Sequence, residues 1–386
     1  MHLLVNDPDP HARGVSRGAQ LRAGLADTLE LYLRWFDTLG IPEQQIRTDA
    51  LRLLDNVDAW RSRYADEIAG IAAGAAIELW QAAALNGRTE IISAEPRTRP
   101  ECSTLVRVPG TSSPFGIQTW DWHTELSDCW HTQEVRGTRY AFAGITEHGI
   151  LGKIGVNSAG LGLFFNILGH QDDSAAGVPV HVLAAAVLAE AGSTAEALDL
   201  LRTAPIRTSG AFTLLDPDTA VCAELSPAGV TTLDPEAGFL LHTNHFLDPD
   251  TAAREKRGLF EPDSQLRHAL MTTRLRDYPT PAHAVDLVAF LRSGPGEPKL
   301  CCVPEPDAAF GDRWATLATV LLEPAARTVR VHAGNPNTLA AWRAGGRSRR
   351  RKRWWPDDPG ALPRRPDLHR ERVRLGGIHG RAWRNH

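Results

Sequence analysis

Residue 102 divides this chain into two kinds of sequence, and any fold must accommodate the change. Before it, apolar residues recur at helical spacing, as in Leu21, Leu25, Leu29, Tyr32 and Phe36. After it come short β-branched runs separated by glycine, starting with Ser103-Thr104-Leu105-Val106. At the boundary stands Pro100-Glu101-Cys102-Ser103-Thr104. A cysteine that opens the first strand after a long helical stretch is a candidate nucleophile.

The pattern predicts a short strand in residues 1–8, a turn and helix entry at 13–18, and helices over 21–40, 45–62 and 64–84. Alanines 65, 69, 72, 73, 75 and 76 permit close helix packing in the last of these. Residues 94–100, rich in Pro and Arg, form a loop that can be cut. Strands follow at 103–108, 115–122, 131–135, 140–147, 150–156 and 160–167. Helices are predicted at 179–191 and 194–203, the latter capped by Ser193 or Thr194 with Glu196 in its first turn. Strands resume at 211–215, 219–225, 229–233 and 239–243. Helices are expected at 262–276 and 281–293, then strands at 299–303, 314–323 and 326–332. Strands in runs and helices in runs point to antiparallel sheet layered with helices, an α+β fold, rather than βαβ units.

From Trp342 onward the chain changes again, with fourteen Lys or Arg against four Asp or Glu. That leaves −14 on residues 1–341 and a net charge of −4 overall, which argues against nucleic-acid binding by the whole chain. Residues 342–386 lack amphipathic period and read as a disordered basic extension or an out-of-frame gene end. Five cysteines with no CxxC pair fit neither a disulfide framework nor a zinc site, so reduced thiols in the cytoplasm are expected, with no metal and no cofactor. Neither a signal peptide nor an 18-residue apolar run is visible, so no membrane partner is expected.

A thiol attacks as thiolate and needs a base. If the bond before Cys102 is cut, its new α-amine, with an ordinary pKa of about 7.7–8.0, can be that base near neutral pH. Competing motifs fail. Gly149, Gly152, Gly155, Gly160 and Gly162 give no GxGxxG, and Gly152-Lys153 is followed by Ile154 rather than Ser or Thr. They read as glycines where layers approach closely. Val156-Asn157-Ser158-Ala159-Gly160 lacks the first glycine of a nucleophile elbow, leaving Ser158 a distant candidate.

Five blocks now acquire meaning together: Leu85-Asn86-Gly87-Arg88-Thr89-Glu90, Glu101-Cys102-Ser103-Thr104, Gln118-Thr119-Trp120-Asp121-Trp122, Ile145 to Gly162, and His242-Thr243-Asn244-His245-Phe246. In this order and spacing the chain resembles the acyl-coenzyme A:6-aminopenicillanic acid acyltransferase family (peptidase family C45) of N-terminal nucleophile hydrolases, over roughly residues 10–335. The resemblance implies a four-layered αββα sandwich made as a precursor that cleaves itself at Glu101–Cys102. Residues 1–101 would be the α chain (propeptide) of the fold, 102–341 the catalytic β chain and 342–386 the tail, with the α and β chains staying associated.

It also implies Cys102 as nucleophile, Asp121 as the acidic residue of the Trp-Asp block and Asn244 as the oxyanion-stabilising group. Read from the residues alone, Asp121 is equally a turn-stabilising Asp and Asn244 a loop-capping Asn. Two departures stand out. Glu101 replaces a glycine, and Cys302 occupies the place of an arginine in the block at Leu300-Cys301-Cys302-Val303-Pro304. Loss of that cation favours a small N-acyl amide or acyl-CoA thioester over a penicillin nucleus as substrate. The alternative from another class is an unprocessed, non-catalytic binding protein of the same fold.

Overall fold

The structure, a computed structural model, describes residues 1–93, 102–305 and 307–339, and the backbone of Glu371–Arg374. It opens with β1 (His2–Asn6) and α1 (Pro10–Thr38), whose start is fixed by Pro10 at its first position and by the Asp9 carboxylate accepting the Ala12 N–H at 2.7 Å. The turn expected at 13–18 is therefore already helix. Next comes α2 (Glu43–Ala75), where the break expected near residue 63 appears as a kink at Arg61 within one element. Short helices α3 (Leu79–Asn86) and α4 (Arg88–Ile92) follow.

Glycine, more than alanine, sets the approach of α1 to α2. A Cβ on Gly14 would stand 2.1 Å from the Glu67 carbonyl oxygen, and one on Gly70 2.2 Å from that of His11. Backbone meets backbone along this seam, which leaves the Arg13 and Arg17 guanidiniums buried on the Glu67 carboxylate, at 2.7 and 3.2 Å.

Two sheets fill the middle. The larger contains β1, β4 (Trp130–Arg136), β5 (Phe142–Glu147), β6 (Ile154–Asn157), β7 (Gly162–Ile167), β8 (Gly210–Leu215), β9 (Ala220–Ser226) and β10 (Gly229–Leu233) in that order. Only β1 against β4 is parallel among its pairings. The smaller runs β11 (Phe239–His242), β2 (Ser103–Arg107), β3 (Phe115–His123), β12 (Trp314–Glu323), β13 (Thr328–Ala333) and β14 (Glu371–Arg374). The sheets lie face to face. α1 to α4 with α5 (Val180–Glu190) and α6 (Thr194–Thr203) cover the larger sheet, and α8 (Asp263–Asp277) with a 3-10 turn segment at Ala284–Leu291 covers the smaller. The result is the four-layered αββα sandwich. A one-turn helix, α7 (Pro249–Ala252), links β11 to α8.

Ser193 caps α6 through the Glu196 N–H at 3.2 Å, as the sequence predicts. Gly152 lies against Ala185 of α5, and Gly162 against Leu322 of the facing sheet, so layers do meet at these glycines. Two expectations are corrected. Residues 299–303 join no ladder: Thr316 Oγ1 accepts the Cys302 N–H at 2.7 Å, Thr119 Oγ1 donates to Leu300 O at 3.1 Å, and the Leu300 N–H turns back to Pro298 O at 2.9 Å. The segment near 281–293 is 3-10 rather than α, since Ala284, Leu287 and Phe290 recur every third residue on the buried side. Of the basic extension, Glu371–Arg374 pair antiparallel with β13, where no strand was expected. The remainder of 342–386 lies outside the described residues. Among the described residues no helix is long and apolar enough to cross a membrane.

Candidate active site

Cys102 immediately precedes β2 and is 2% exposed. Alternation along β2 and β3 sorts their side chains onto two faces. Thr104, Gln118, Trp120 and Trp122 point toward the larger sheet. There Thr104 donates to Asn166 Oδ1 at 2.6 Å, and Gln118 Nε2 donates to Phe165 O at 2.8 Å. Ser103, Thr119 and Asp121 point the other way, toward α8 and the 300–302 segment. Cys102 packs with the inter-sheet group that includes Trp120 and Trp122.

Three side chains from distant parts of the chain converge on this strand start. Asn166 of β7 donates its Nδ2 to the Cys102 carbonyl oxygen at 3.0 Å. Arg267 of α8, fully buried, donates Nη1 to the same oxygen and to Ser103 Oγ, both at 3.0 Å. Its Nη2 reaches Asn244 Oδ1 at 3.0 Å and its Nε reaches Asp263 Oδ2 at 2.6 Å. The planar fork thus fixes both Cys102 and Asn244, a task for which a lysine has the wrong shape. Asn244 in turn gives one amide N–H to Ile167 O at 2.9 Å and has a second to give.

Asp121 lies on the opposite face of β3 from the Trp120 and Trp122 rings, where its Oδ1 accepts from Thr316 Oγ1. Thr316 Oγ1 also takes the Cys302 N–H, so Asp121 belongs to the arrangement that holds the 300–302 segment. Cys302 itself is buried, and burial followed by the neighbouring Asp121 pushes its thiol up. The guanidinium at this site comes instead from Arg267, a residue that sequence reasoning passed over. Glu101, on the far side of the expected cut, lies outside the described residues, as does the 94–100 loop.

The histidines next to the Trp-Asp and Thr-Asn blocks pack against other groups. His242 spans Glu224 Oε1 at 2.9 Å and Thr243 O at 2.8 Å, and His123 packs between Trp35 and Trp314. Ser158 sits in the turn after β6, its N–H bonded to Ala141 O at 2.7 Å. Among the described residues, no group of three or more His, Cys, Asp or Glu could hold a metal ion.

Beside Trp122 and Ile167 opens a cleft with apolar walls from Ile92, Leu168, Leu259 and Phe260 and polar groups from Arg88 and Asp173. Burial raises the Asp173 carboxyl to about 6. Next to the cleft, burial raises Glu90 to about 7 against the pull of the Val180 N–H, which its Oε1 accepts at 2.9 Å. Glu90 Oε2 has no hydrogen-bond partner among the described residues.

A carboxyl raised in the folded state stabilises the fold fully below its unfolded pKa. It gives that contribution up as pH rises through the folded value. Between pH 5 and pH 8 the native chain is therefore expected to lose up to about 3 kcal/mol relative to Glu90→Gln, read from urea midpoints at the two pH values.

Residues 108–338 match the family described as acyl-coenzyme A:6-aminopenicillanic acid acyl-transferase. The 40 kDa form of acyl-coenzyme A:6-aminopenicillanic-acid-acyltransferase from Emericella nidulans is 29% identical over 292 residues, which cover 74% of this chain and 80% of that relative. Among solved structures, an N-acylethanolamine-hydrolyzing acid amidase ortholog from Caenorhabditis elegans overlays 58% of this chain and 93% of its own, at 13% identity and a TM-score of 0.43. Penicillin V acylase from Agrobacterium tumefaciens overlays 60% and 83%, at 12% identity and a TM-score of 0.41. This chain belongs to the acyl-coenzyme A:6-aminopenicillanic acid acyl-transferase family.

Proposed function

We propose that the chain is a self-processing N-terminal nucleophile enzyme that cuts its own Glu101–Cys102 bond. It then hydrolyses a small N-acyl amide, or transfers an acyl group from an amide or thioester, through an acyl-Cys102 intermediate. The observation that carries this reading is the convergence of Arg267, Asn166 and Asn244 at the start of β2, beside a cleft with apolar walls.

Each group has a task. The α-amine of the new N-terminus takes the thiol proton, and Sγ adds to the substrate carbonyl. The second amide N–H of Asn244 donates to the oxyanion, a contribution of about 2.7–4 kcal/mol when the donor is held in place. Arg267 supplies that hold from the other side of the amide. Asp121 keeps the 300–302 segment against β3 through Thr316. The cleft holds only about 20 Å³, so an acyl chain enters along its apolar walls once Ile92, Leu168, Leu259 and Phe260 move apart, and water or an amine resolves the thioester.

Intact-mass spectrometry tests the first step. Two polypeptides are expected, the second beginning at Cys102. A purified chain that stays in one piece would leave the alternative of a binding protein that kept the sandwich and lost the chemistry.

A further inference from the structure

Glu224 and His242 form a pair that the mechanism above does not use, and each is 1% exposed. Glu224 belongs to β9 of the larger sheet and His242 ends β11 of the smaller, so their 2.9 Å contact ties the two sheets together. The same carboxylate accepts the Leu247 N–H on Oε1 at 2.7 Å and the Asp248 N–H on Oε2 at 3.1 Å. Taking a carboxylate out of water is costly, and apolar packing of the same volume often stabilises a fold as well. Stability alone does not account for a carboxylate at this place.

The turn that Glu224 holds carries Asn244. His242 pairs with Thr104 at the end of the ladder between β11 and β2, a register that would bring Asn244 level with Cys102. The ladder stops at His242, and side chains take backbone groups beyond it. The Asn244 N–H donates to Ser264 Oγ at 2.7 Å, and the Phe246 N–H to Glu255 Oε1 at 3.1 Å. Glu224 takes the next two.

His242 completes the grip. Its Nδ1 donates to Thr243 O at 2.8 Å, since a carbonyl oxygen only accepts. Thr243 O and the Asn244 N–H belong to one peptide group, so the plane that leads into Asn244 is fixed at both ends. Nε2 faces Glu224 Oε1, and two bare acceptors do not meet at 2.9 Å, so a second hydrogen lies between them. Glu224 thereby sets which way the imidazole faces.

We infer that Glu224 is a positioning residue for acylation: through His242 and the backbone of 247 and 248 it orients Asn244, whose second amide N–H meets the oxyanion. Arg267 and Ser264 hold Asn244 from α8, and Glu224 holds its turn from the larger sheet. Glu224 and His242 stand outside the walls of the cleft, so their effect falls on the transition state and spares binding of the acyl group. This role rests on the reading of Asn244 as the oxyanion donor.

The test is a double-mutant cycle in the full chain, read from the p-nitrophenolate burst with p-nitrophenyl hexanoate. Asn244→Ala alone is expected to lower the saturating acylation rate about 10²–10³-fold, the scale for one oxyanion donor. In Glu224→Gln an NH2 replaces one carboxylate oxygen, so at least one of the two backbone N–H groups loses its acceptor. That variant is expected to acylate at least about tenfold more slowly, with the half-saturating ester concentration within about twofold of native. In the Asn244→Ala background the same change is expected to cost less than about threefold, because the group it positions is gone. A merely structural glutamate would slow both backgrounds alike. His242→Gln, which keeps a partner for the carboxylate and drops the contact to Thr243 O, should reproduce the pattern and covers the case in which Glu224→Gln fails to fold. The inference is overturned by a folded Glu224→Gln that acylates at the native rate, by a loss confined to the half-saturating concentration, or by equal losses in both backgrounds. A folded His242→Gln that acylates at the native rate overturns it as well. A native chain without a burst, or Asn244→Ala at the native rate, defeats the underlying reading itself, and this role with it.

Discussion

A Cys102→Ala chain will remain one uncut polypeptide and will lose acylation by p-nitrophenyl hexanoate by at least about 10⁴-fold, the scale on which removal of a nucleophile acts. The substitution deletes one sulfur from a buried position, which costs about 1 kcal/mol by the usual cavity arithmetic, so the fold survives and the loss is chemical. No other thiol stands in. Cys129, Cys222, Cys301 and Cys302 are buried, and burial pushes each of them up, away from the thiolate form. Intact mass reads the cutting, and peptide-level labelling with an acyl probe reads the reactivity. Labelling undiminished in Cys102→Ala would move the nucleophile elsewhere, and a fluorophosphonate probe would then decide on Ser158.

Glu147→Gln will destabilise the chain by about 3–5 kcal/mol, the cost of removing one partner from a buried ion pair. The glutamine still offers an oxygen to Tyr32 and Arg88, but the charge that balances Arg88 and Lys153 is gone. Replacing all three together, Glu147→Leu with Arg88→Met and Lys153→Met, should recover much of the loss, because neither cation is then left without the Glu147 carboxylate. Urea unfolding measures both. The acid limb adds a second signature. Burial alone would raise the Glu147 carboxyl, but Arg88 and Lys153 outweigh it and hold it well below the ordinary glutamate range. Its contribution is complete above that ordinary value, about 4.3, and is lost as pH falls below it. Glu147→Gln is therefore expected to show a flatter decline in acid than the native chain.

Much of this fold is written locally. The short strand-like runs at Ser103–Arg107 and Phe115–His123, the serine cap of α6 and the glycines at the layer contacts each depend on a few neighbouring residues, and each is legible from them. The Leu300–Val303 run misleads because its apolar character is that of a strand, while its backbone groups go to Thr316, Ser293 and Thr119, from elsewhere in the chain.

The candidate site divides the same way. Cys102, Asp121 and Asn244 sit in recognisable blocks. Arg267 lies on a helix so rich in polar residues that an arginine there reads as solvent-facing, and only the fold brings it to a residue 165 positions away. Lys153 drew notice only as the lysine of a failed phosphate loop. Its pairing with Glu147 is short-range in sequence, but the third member, Arg88, comes from the other side of residue 102.

The place of β1 has a consequence for any attempt to dispense with the first hundred residues. His2–Asn6 is the outermost strand of the larger sheet and hydrogen-bonds along the length of β4. A polypeptide that began at Cys102 and folded alone would present β4 as an open edge, with a row of unpaired amides and carbonyls ready to template aggregation. It would also bare the sheet face that α1 and α3 now cover. Residues 1–93 are therefore part of the folded unit, closing the β4 edge and covering the sheet. Supplying them in trans as a separate chain, rather than deleting them, is the way to handle the segment from Cys102 onward in isolation.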